Sequence, residues 1–561
     1  MFWSIPTTLV LLSASTLTSA WPPPKWHHGQ HHDGNGELAY PRQRGQDYDY
    51  TSFEQDQQVR ADAVIEQFRF AWTGYYTFAY PHDDLLPKNN SWSDSRNGWG
   101  LLMFDALDTA IIMEQVDIVN IILDFVPAVD FTKNNAVLNP PDGPPNPATT
   151  SLFETTIRYL GGMLGAYDLL KGPFAHLDCN QSNVDALLTQ AQSLADALKF
   201  AFDTPTGIPV NLVYVDNQTF ATSNQELDGT YWAGLAELGT LCLEWRRQHL
   251  SDLTGNPEYG DLARKGESYW FSGTEIWPGL TGGNFSIQTG EIQDQYGGWT
   301  SGNDSAYEYL IKMYVYDPDR YQDYSARWQA AADSSIAHLL SSPSSRPDLT
   351  MVGAFDGMLV ENYTEQLACF VGGNFILGAT VLGRDDYLQY GLEFSEFCAN
   401  GYRYAASGIG PIEYSWNTSI LATANFTNQT ALYDRAGWFI PDNTAYYNGQ
   451  APEAIESWYY AYQVTSDQYW RDVAWAYTLA QDRLERVGSG FSSVNDVLSP
   501  SGNGTLNFMA SFMLAEVLKY QYLIQKPVEA IYDVEYGEEN KNFFVFNTEA
   551  HPFAVAAKKP V

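Results

Sequence analysis

Apolar residues recur at three- and four-residue spacing through most of the chain, from about Val59 to Tyr522. That is the period of an amphipathic helix. The pattern predicts helices near 58–80, 101–125, 151–170, 184–203, 230–250, 303–318, 324–341, 365–382, 384–403, 452–467, 469–486 and 508–525, separated by loops rich in Gly, Pro and Asn. Period-two alternation is confined to short pieces such as Ile208-Pro209-Val210-Asn211-Leu212-Val213-Tyr214. Near the C-terminus, Phe543-Phe544-Val545-Phe546 reads as a strand that runs straight into Asn547-Thr548-Glu549-Ala550-His551-Pro552. An apolar strand that delivers Thr, Glu and His suggests a plug with a site at its tip. A plain edge strand stopped by Pro552 is the alternative.

The predicted helices come as pairs, roughly one pair per 60 residues, and no break in composition separates two cores. A chain of 561 residues exceeds the ~250–300 residues that one ordinary core supports. A closed ring of helical hairpins resolves the conflict, because each pair packs only on its neighbours. The expected class is therefore all-α, as one toroidal domain over 56–556 with a central cavity open to the C-terminal hairpin.

The ends read differently. The apolar run Ile5 to Leu17 is too short to span a bilayer, and Thr18-Ser19-Ala20 offers small residues for cleavage. Residues 1–20 are expected to be a secretory signal peptide, with an uncleaved anchor as the alternative because no Lys or Arg precedes the run. Residues 21–55 are rich in Pro, His, Gly and Asp and are expected to be disordered. The tract His27, His28, His31 and His32 could bind metal, but a solvated linker is the favoured reading. No later stretch predicts a membrane span.

Composition narrows the partners. Lys and Arg number 30 against 67 Asp and Glu, for a net charge of −37. Phosphate-driven nucleic-acid binding needs a basic face and is excluded, and anionic membrane surfaces are disfavoured. Ten Asn-x-Ser/Thr sequons support the secretory route: Asn89, Asn180, Asn217, Asn284, Asn303, Asn362, Asn417, Asn425, Asn428 and Asn503. Four cysteines, Cys179, Cys242, Cys369 and Cys398, permit three complete pairings in an oxidising compartment. Cys369 and Cys398 lie in successive helical segments and are the preferred pair. Cys242, flanked by Leu241 and Leu243, reads as a buried thiol.

Acids recur among apolar helix residues. Glu154 and Arg158 share a helix face next to Gly161-Gly162, an ion pair or an inward face with close packing. Asp304 before Ser305 could be a helix cap, and Glu453 and Glu456 after Pro452 could serve the helix dipole. Glu516 stands among Met513, Leu514, Ala515 and Val517, while Asp105 and Asp108 flank Ala106-Leu107. Taken together, several inward acids, few bases and 15% aromatic residues describe a carbohydrate-cleaving cavity. Two carboxylates would act as acid and base, and others would hold water or a hard cation. Nucleophile-elbow, zinc, phosphate-loop and dinucleotide patterns are missing from the sequence.

In order along the chain stand Gly98-Trp99-Gly100 with Asp105-Ala106-Leu107-Asp108-Thr109, and Phe153-Glu154 through Arg158 to Gly161-Gly162. Leu235-Ala236-Glu237-Leu238-Gly239-Thr240 with Leu243-Glu244-Trp245, and Asp304-Ser305 with Tyr307-Glu308-Tyr309-Leu310, follow. Pro452-Glu453 with Glu456-Ser457, Ala515-Glu516 with Leu518-Lys519-Tyr520, and Phe546 to Pro552 complete the series. This series resembles the class I α-1,2-mannosidases of glycoside hydrolase family 47, of the secreted fungal type. The resemblance implies an (α/α)7 barrel plugged by a C-terminal β-hairpin, one Ca²⁺, and inverting exo-hydrolysis of terminal α-1,2-linked mannose from oligosaccharides or N-glycans. It implies that Thr548 ligates Ca²⁺, that Glu154 or its rival Asp304 is the general acid, and that Glu453 is the base. Glu237, Glu456, Glu516 and Glu549 would hold sugar hydroxyls and calcium-bound water, Phe512 would lie near the sugar ring, and Arg158 belongs to the same substrate-binding set. Cys369 and Cys398 match the family's disulfide. A secreted monomer is expected.

Three positions depart from the family pattern. Ala451 stands where Arg precedes Pro-Glu, Gln366 where the family has His, and Gly302 where endoplasmic-reticulum members have Arg. The lost Arg and His are expected to have lined the glycan region, so glycan choice and linkage preference are open. A catalytically weak glycan-binding protein of protein quality control is the further alternative.

Overall fold

The computed structural model describes residues 50–140, 145–224, 229, 231–245, 250–418, 429–441, 450–526, 532 and 543–556. All of them belong to one compact unit, Gly45–Val561. The expected signal peptide, the linker up to residue 49 and the sequons Asn425 and Asn428 lie outside the described residues. The first helix begins at Tyr50, ahead of the boundary expected at 56. Among the described residues, no helix is long and apolar enough to cross a membrane.

Helices make up about 53% of the described residues. They pack as pairs: Leu101–Ile112 with Val116–Phe125, Gly161–Lys171 with Gln181–Leu198, and Leu235–Gly239 and Cys242–Trp245 with Glu258–Phe271. Asp304–Tyr316 pairs with Gln322–His338, Phe370–Leu382 with Asp385–Tyr404, Glu453–Thr465 with Gln468–Leu484, and Leu518–Gln525 with Tyr50–Phe78. The first member of each pair also touches the next pair's first member. Leu101–Ile112 meets Gly161–Lys171, and the turn Thr156–Leu160 meets Cys242–Trp245. Contacts continue through Asp304–Tyr316, Phe370–Leu382, Glu453–Thr465 and Leu518–Gln525, and Met513–Val517 returns to Leu101–Ile112. Composition explains this layering. Leu101–Ile112 is buried throughout, and Phe370–Leu382 from Phe370 to Thr380. Helices apolar all round must be covered on every side.

Where the structure departs from the sequence pattern, the cause is local. The helix expected over 101–125 is two helices, broken at a turn where Glu114 takes φ 54°. The segment expected as a helix over 230–250 starts as a strand, Trp232–Gly234. Glu258–Phe271 was not predicted. Its buried side is Tyr259, Gly260, Ala263, Gly266, Glu267 and Trp270, too poor in large apolar residues to register as a stripe. The alternation at 208–214 yields only Leu212–Tyr214 as strand.

The C-terminal hairpin pairs Phe544–Phe546 with Pro552–Ala554, antiparallel, with Val545 opposite Phe553. Asn547 closes its turn by accepting from Glu549 N at 2.9 Å and His551 N at 2.8 Å. Its amide donates outward to Ile157 O at 3.0 Å and Glu244 Oε1 at 2.9 Å. Glycine admits this turn to the helices. A Cβ on Gly161 would sit 2.7 Å from Asn547 Nδ2, and one on Gly162 would sit 2.6 Å from Phe104 O. The close packing expected at Gly161-Gly162 is thus against the hairpin as well as a neighbouring helix.

Candidate active site

Local structure mounts each candidate side chain. Ser151 Oγ caps the helix that carries Glu154, accepting from Glu154 N at 3.2 Å. Asn211 braces the same corner, accepting from Phe153 N at 2.9 Å, and donates to Glu237 Oε1 at 2.6 Å. Arg158 lies in a five-residue π-helical turn, Thr156–Leu160, and Glu516 in a second, Met513–Val517, preceded by Phe512. Such turns push one residue out of helical register and frequently mark functional positions. Asp304 and Glu453 each begin a helix, Asp304–Tyr316 and Glu453–Thr465. Asp304 Oδ1 accepts only from its neighbour Ser305, at 2.8 Å from N and 3.3 Å from Oγ, so its carboxylate is not spent on capping.

These elements surround one cavity of about 570 Å³. Glu154, Arg158, Glu237, Asp304, Glu453, Glu456, Phe512, Glu516, Thr548 and Glu549, the ten residues to which the family resemblance gives a role in catalysis, calcium or sugar binding, line it, whereas Asp105 and Asp108 do not. With Glu308 the lining holds eight carboxylates against two guanidiniums, Arg158 and Arg96. A site so charged shifts its own titrations. Burial pushes Asp304 up to about 7, aided by Glu308 and Glu365. Burial also raises Glu453 well above the carboxylate range, with Glu456 and Asp304 adding to it. Glu516 is raised by burial and by Glu549, Glu453 and Glu456. Burial raises Glu456 to about 7 despite Lys312.

Glu154 goes the other way. Burial alone would raise it, but Arg158 and Arg96 outweigh burial and hold it at about 2. Arg158 Nε lies 2.7 Å from Glu154 Oε2, and Arg96 Nη2 lies 2.8 Å from Oε1. Arg158 also pairs with Glu549 and, at 3.5 Å, with Asp105, and its guanidinium sits 5.5 Å from the Phe512 ring centre. Asp105 and Asp108 lie behind the cavity wall. Asp108 takes Lys519 at 3.0 Å and His551 at 2.8 Å.

Sequence reasoning did not single out Arg96, Asn211, Glu308 or Lys312. Glu308 was findable, because it stands four residues after Asp304 and four before Lys312, on one helix face. Lys312 bonds Glu308, lies 3.5 Å from Glu456 and donates to Asn547 O at 3.3 Å. One expectation fails. Gln366 does not line the cavity. It is buried, donating to Tyr402 Oη at 3.0 Å and accepting from Tyr414 Oη at 3.1 Å, a fit for an amide that needs both a donor and an acceptor. Ala451 and Gly302 do line the cavity. Cys369 and Cys398 form a disulfide, and Cys179 and Cys242 are buried outside it.

Among the described residues, no three His, Cys, Asp or Glu side chains converge as direct metal ligands. Oxygen donors at Thr548, amid excess carboxylate charge, nonetheless fit a hard cation that keeps much of its water.

A family model described as glycosyl hydrolase family 47 matches residues 67–555. The chain belongs to glycosyl hydrolase family 47. It is a glycoside hydrolase. Among relatives, a mannosyl-oligosaccharide alpha-1,2-mannosidase of Coccidioides posadasii is 46% identical over 511 residues, covering 90% of this chain and 93% of the relative. A mannosyl-oligosaccharide alpha-1,2-mannosidase 1B of Aspergillus phoenicis is 46% identical over 504 residues, covering 89% and 92%. Among solved structures, the alpha-1,2-mannosidase from Trichoderma reesei superposes with a TM-score of 0.82 at 44% identity, covering 89% of this chain and 99% of that one.

Proposed function

We propose that this family 47 protein is a secreted, monomeric, calcium-dependent, inverting exo-α-mannosidase that removes terminal α-1,2-linked mannose from oligosaccharides or N-glycans. The observation that carries the reading is the single cavity lined by all ten residues to which the family resemblance gives a role. The relatives' names support the linkage, and the leader and sequons expected from the sequence support secretion. We also read the fold as an (α/α)7 barrel plugged by the C-terminal hairpin. Its support is the circuit of seven helix pairs and the glycine-lined seat of the hairpin.

In this reading Asp304 is the general acid. Its raised pKa keeps a proton available near neutrality, whereas Glu154 is held ionised by two guanidiniums and would have to give up both to carry one. Asp304 protonates the glycosidic oxygen. Glu453 takes a proton from the water that attacks the anomeric carbon from the opposite face. Glu154 holds Arg158 in place, and Phe512 offers an apolar face to the sugar ring. Thr548 would hold calcium through its hydroxyl and carbonyl oxygens, with Glu237, Glu456, Glu516 and Glu549 on its waters and on sugar hydroxyls. When bound, calcium would supply an oxygen-coordinating centre for sugar hydroxyls and positive charge that favours the ionised form of the acids around it, Glu453 included.

Ala451 and Gly302 favour a second reading of the specificity. Both line the cavity without a side-chain donor, and nothing lies within 4 Å of where a Cβ on Gly302 would sit. The cavity would then accept short α-mannosides or several glycan branches. The test is mannose release from α-1,2-mannobiose and from a high-mannose oligosaccharide, with and without chelator, followed by NMR. β-Mannose should appear first, and chelation should abolish turnover until calcium is restored. α-Mannose appearing first, or full activity and an unchanged melting curve after exhaustive chelation, would refute the respective claims.

A further inference from the structure

Arg96 stands on a loop between two short strands and a helix, and the function described above leaves it only as a counterion. We propose that Arg96 is a substrate-binding residue that holds the sugar on the leaving-group side of the scissile bond, and so sets which mannosides the site accepts. The inference rests on the mannosidase reading.

The loop is built to fix this residue. Asp83, fully buried, accepts from the backbone amides of Arg96 at 2.9 Å, Gly98 at 2.8 Å, Gly100 at 2.9 Å and Leu101 at 3.0 Å. Tyr159 Oη donates to Arg96 O at 2.6 Å, and Asp84 takes Ser95 N at 3.0 Å. The bonds at Gly100 and Leu101 satisfy free amides at the start of helix Leu101–Ile112 and fix where Arg96 leaves the backbone; the bonds to Glu154 and Ser95 O then order its side chain, and ordering a long side chain in advance lowers the entropy lost on binding.

The position of Arg96 follows from exposure along one chain of charges. Side-chain exposure falls from 35% at Arg96 to 22% at Glu154, 11% at Arg158, 3% at Glu549 and 0% at Asp105. Arg96 is therefore the outermost member, above the end where the hairpin tip would hold the terminal mannose. A second sugar attached to that mannose extends toward the mouth and meets Arg96.

Arg96 also has donor capacity to spare. Nη2 is on Glu154 and Nη1 on Ser95 O at 3.1 Å, which leaves a second N–H on each terminal nitrogen. Those two N–H groups can serve two neighbouring sugar oxygens while the arginine keeps its hold on Glu154. With Ala451 and Gly302 offering no side-chain donor in the same cavity, Arg96 is the outer cation left to do so.

The test compares Arg96→Ala and Arg96→Lys with wild type, using KM for α-1,2-mannobiose, which spans the bond, and the inhibition constant of mannose, which fills only the terminal position. Arg96→Ala should raise the mannobiose KM about tenfold, the worth of a hydrogen bond to a charged donor, with Arg96→Lys in between. kcat and the mannose constant should move far less. An unchanged KM overturns the inference. So does a parallel rise in both constants, or a fall in kcat alone, since either would make Arg96 act through Glu154. Should Arg96→Ala not fold, Arg96→Lys carries the same comparison. A wild-type enzyme that releases no mannose from mannobiose or any oligosaccharide overturns the mannosidase reading itself, and this inference with it.

Discussion

Replacing Asp304 by Asn tests the chemistry most directly, because amide and carboxyl share a shape and only the proton is lost. Asp304 is held up to about 7 by burial and by Glu308 and Glu365, and the amides that would lower it come from Ser305 alone. A general acid works in its protonated form. The alkaline limb of activity should therefore fall through about pH 7, to half of the plateau there and about one tenth at pH 8, while the acid limb is set by ionisation of Glu453. Asp304→Asn should lower turnover about 10²–10⁴-fold, the usual share of general acid–base help, and should erase that basic limb. Glu154→Gln should behave differently. Glu154, at about 2, is ionised across the whole range, so its loss should cut turnover by freeing Arg158 and Arg96 while leaving the limb near 7 in place. The assay is the initial rate of mannose release from α-1,2-mannobiose between pH 4 and 9, with wild-type, Asp304→Asn and Glu154→Gln enzyme. If Asp304→Asn keeps a limb near 7, or turns over within about threefold of wild type, Asp304 is not the acid. If Glu154→Gln alone erases the limb, the roles are reversed.

Three further outcomes follow from burial. Glu485 is fully buried and pushed up to about 8, chiefly by burial, so the folded state keeps a proton that the unfolded chain releases above about 4.5. Stability should fall with rising pH across that window by about 1.4 kcal/mol per unit from this group, and calorimetric melting of Glu485→Gln should show a shallower pH slope. Lys519→Met leaves Asp108 with His551 as its remaining cation among the described residues, and should cost about 3–5 kcal/mol in urea titrations, with a cost under 1 kcal/mol contradicting the assignment. Asn303 is buried beside Asp304, so peptide mass spectrometry should find it without glycan even where exposed Asn89, Asn217 and Asn503 carry one.

The sequence made the walls of the cavity legible and hid much of what holds them. Glu154, Asp304, Glu453, Glu456 and Glu516 were readable together, as acids recurring in apolar helical runs, and Thr548 and Glu549 as the tip of an apolar strand, whereas Glu237 and Phe512 came with the family resemblance. The paired helices were readable because their stripes repeat. The π-helical turns at Thr156–Leu160 and Met513–Val517 leave no trace in spacing, since an inserted residue within an apolar run looks like more apolar run. Arg96 was invisible for a different reason. It sits in a turn, and what fixes it is Asp83, thirteen residues earlier in a segment that reads as loop. Gln366 was misjudged because a family difference was taken to imply cavity contact. Its amide instead fits between two tyrosine hydroxyls, which no linear pattern reports.

The distribution of buried cations explains how one end of the cavity can be fixed while the other is free to vary. Arg158, Lys312 and Lys519 come from three different elements, and each reaches the hairpin turn: Arg158 at Glu549, Lys312 at Asn547 O and Lys519 at Ala550 O. Each cation also holds an acid of the helices around the turn, namely Glu154, Glu308 and Asp108. The turn that carries Thr548 is thus tied from three sides by pairs that are costly to break one at a time, because removing any partner leaves a buried charge uncompensated. Substitution there is penalised through stability before it can alter chemistry. The mouth has no such ties. Ala451 and Gly302 present no charge, and Arg96, anchored through its backbone, pairs with Glu154, the more exposed end of the charge chain. Change in substrate preference should therefore arise at 96, 302 and 451, while the hairpin end keeps the reaction the same.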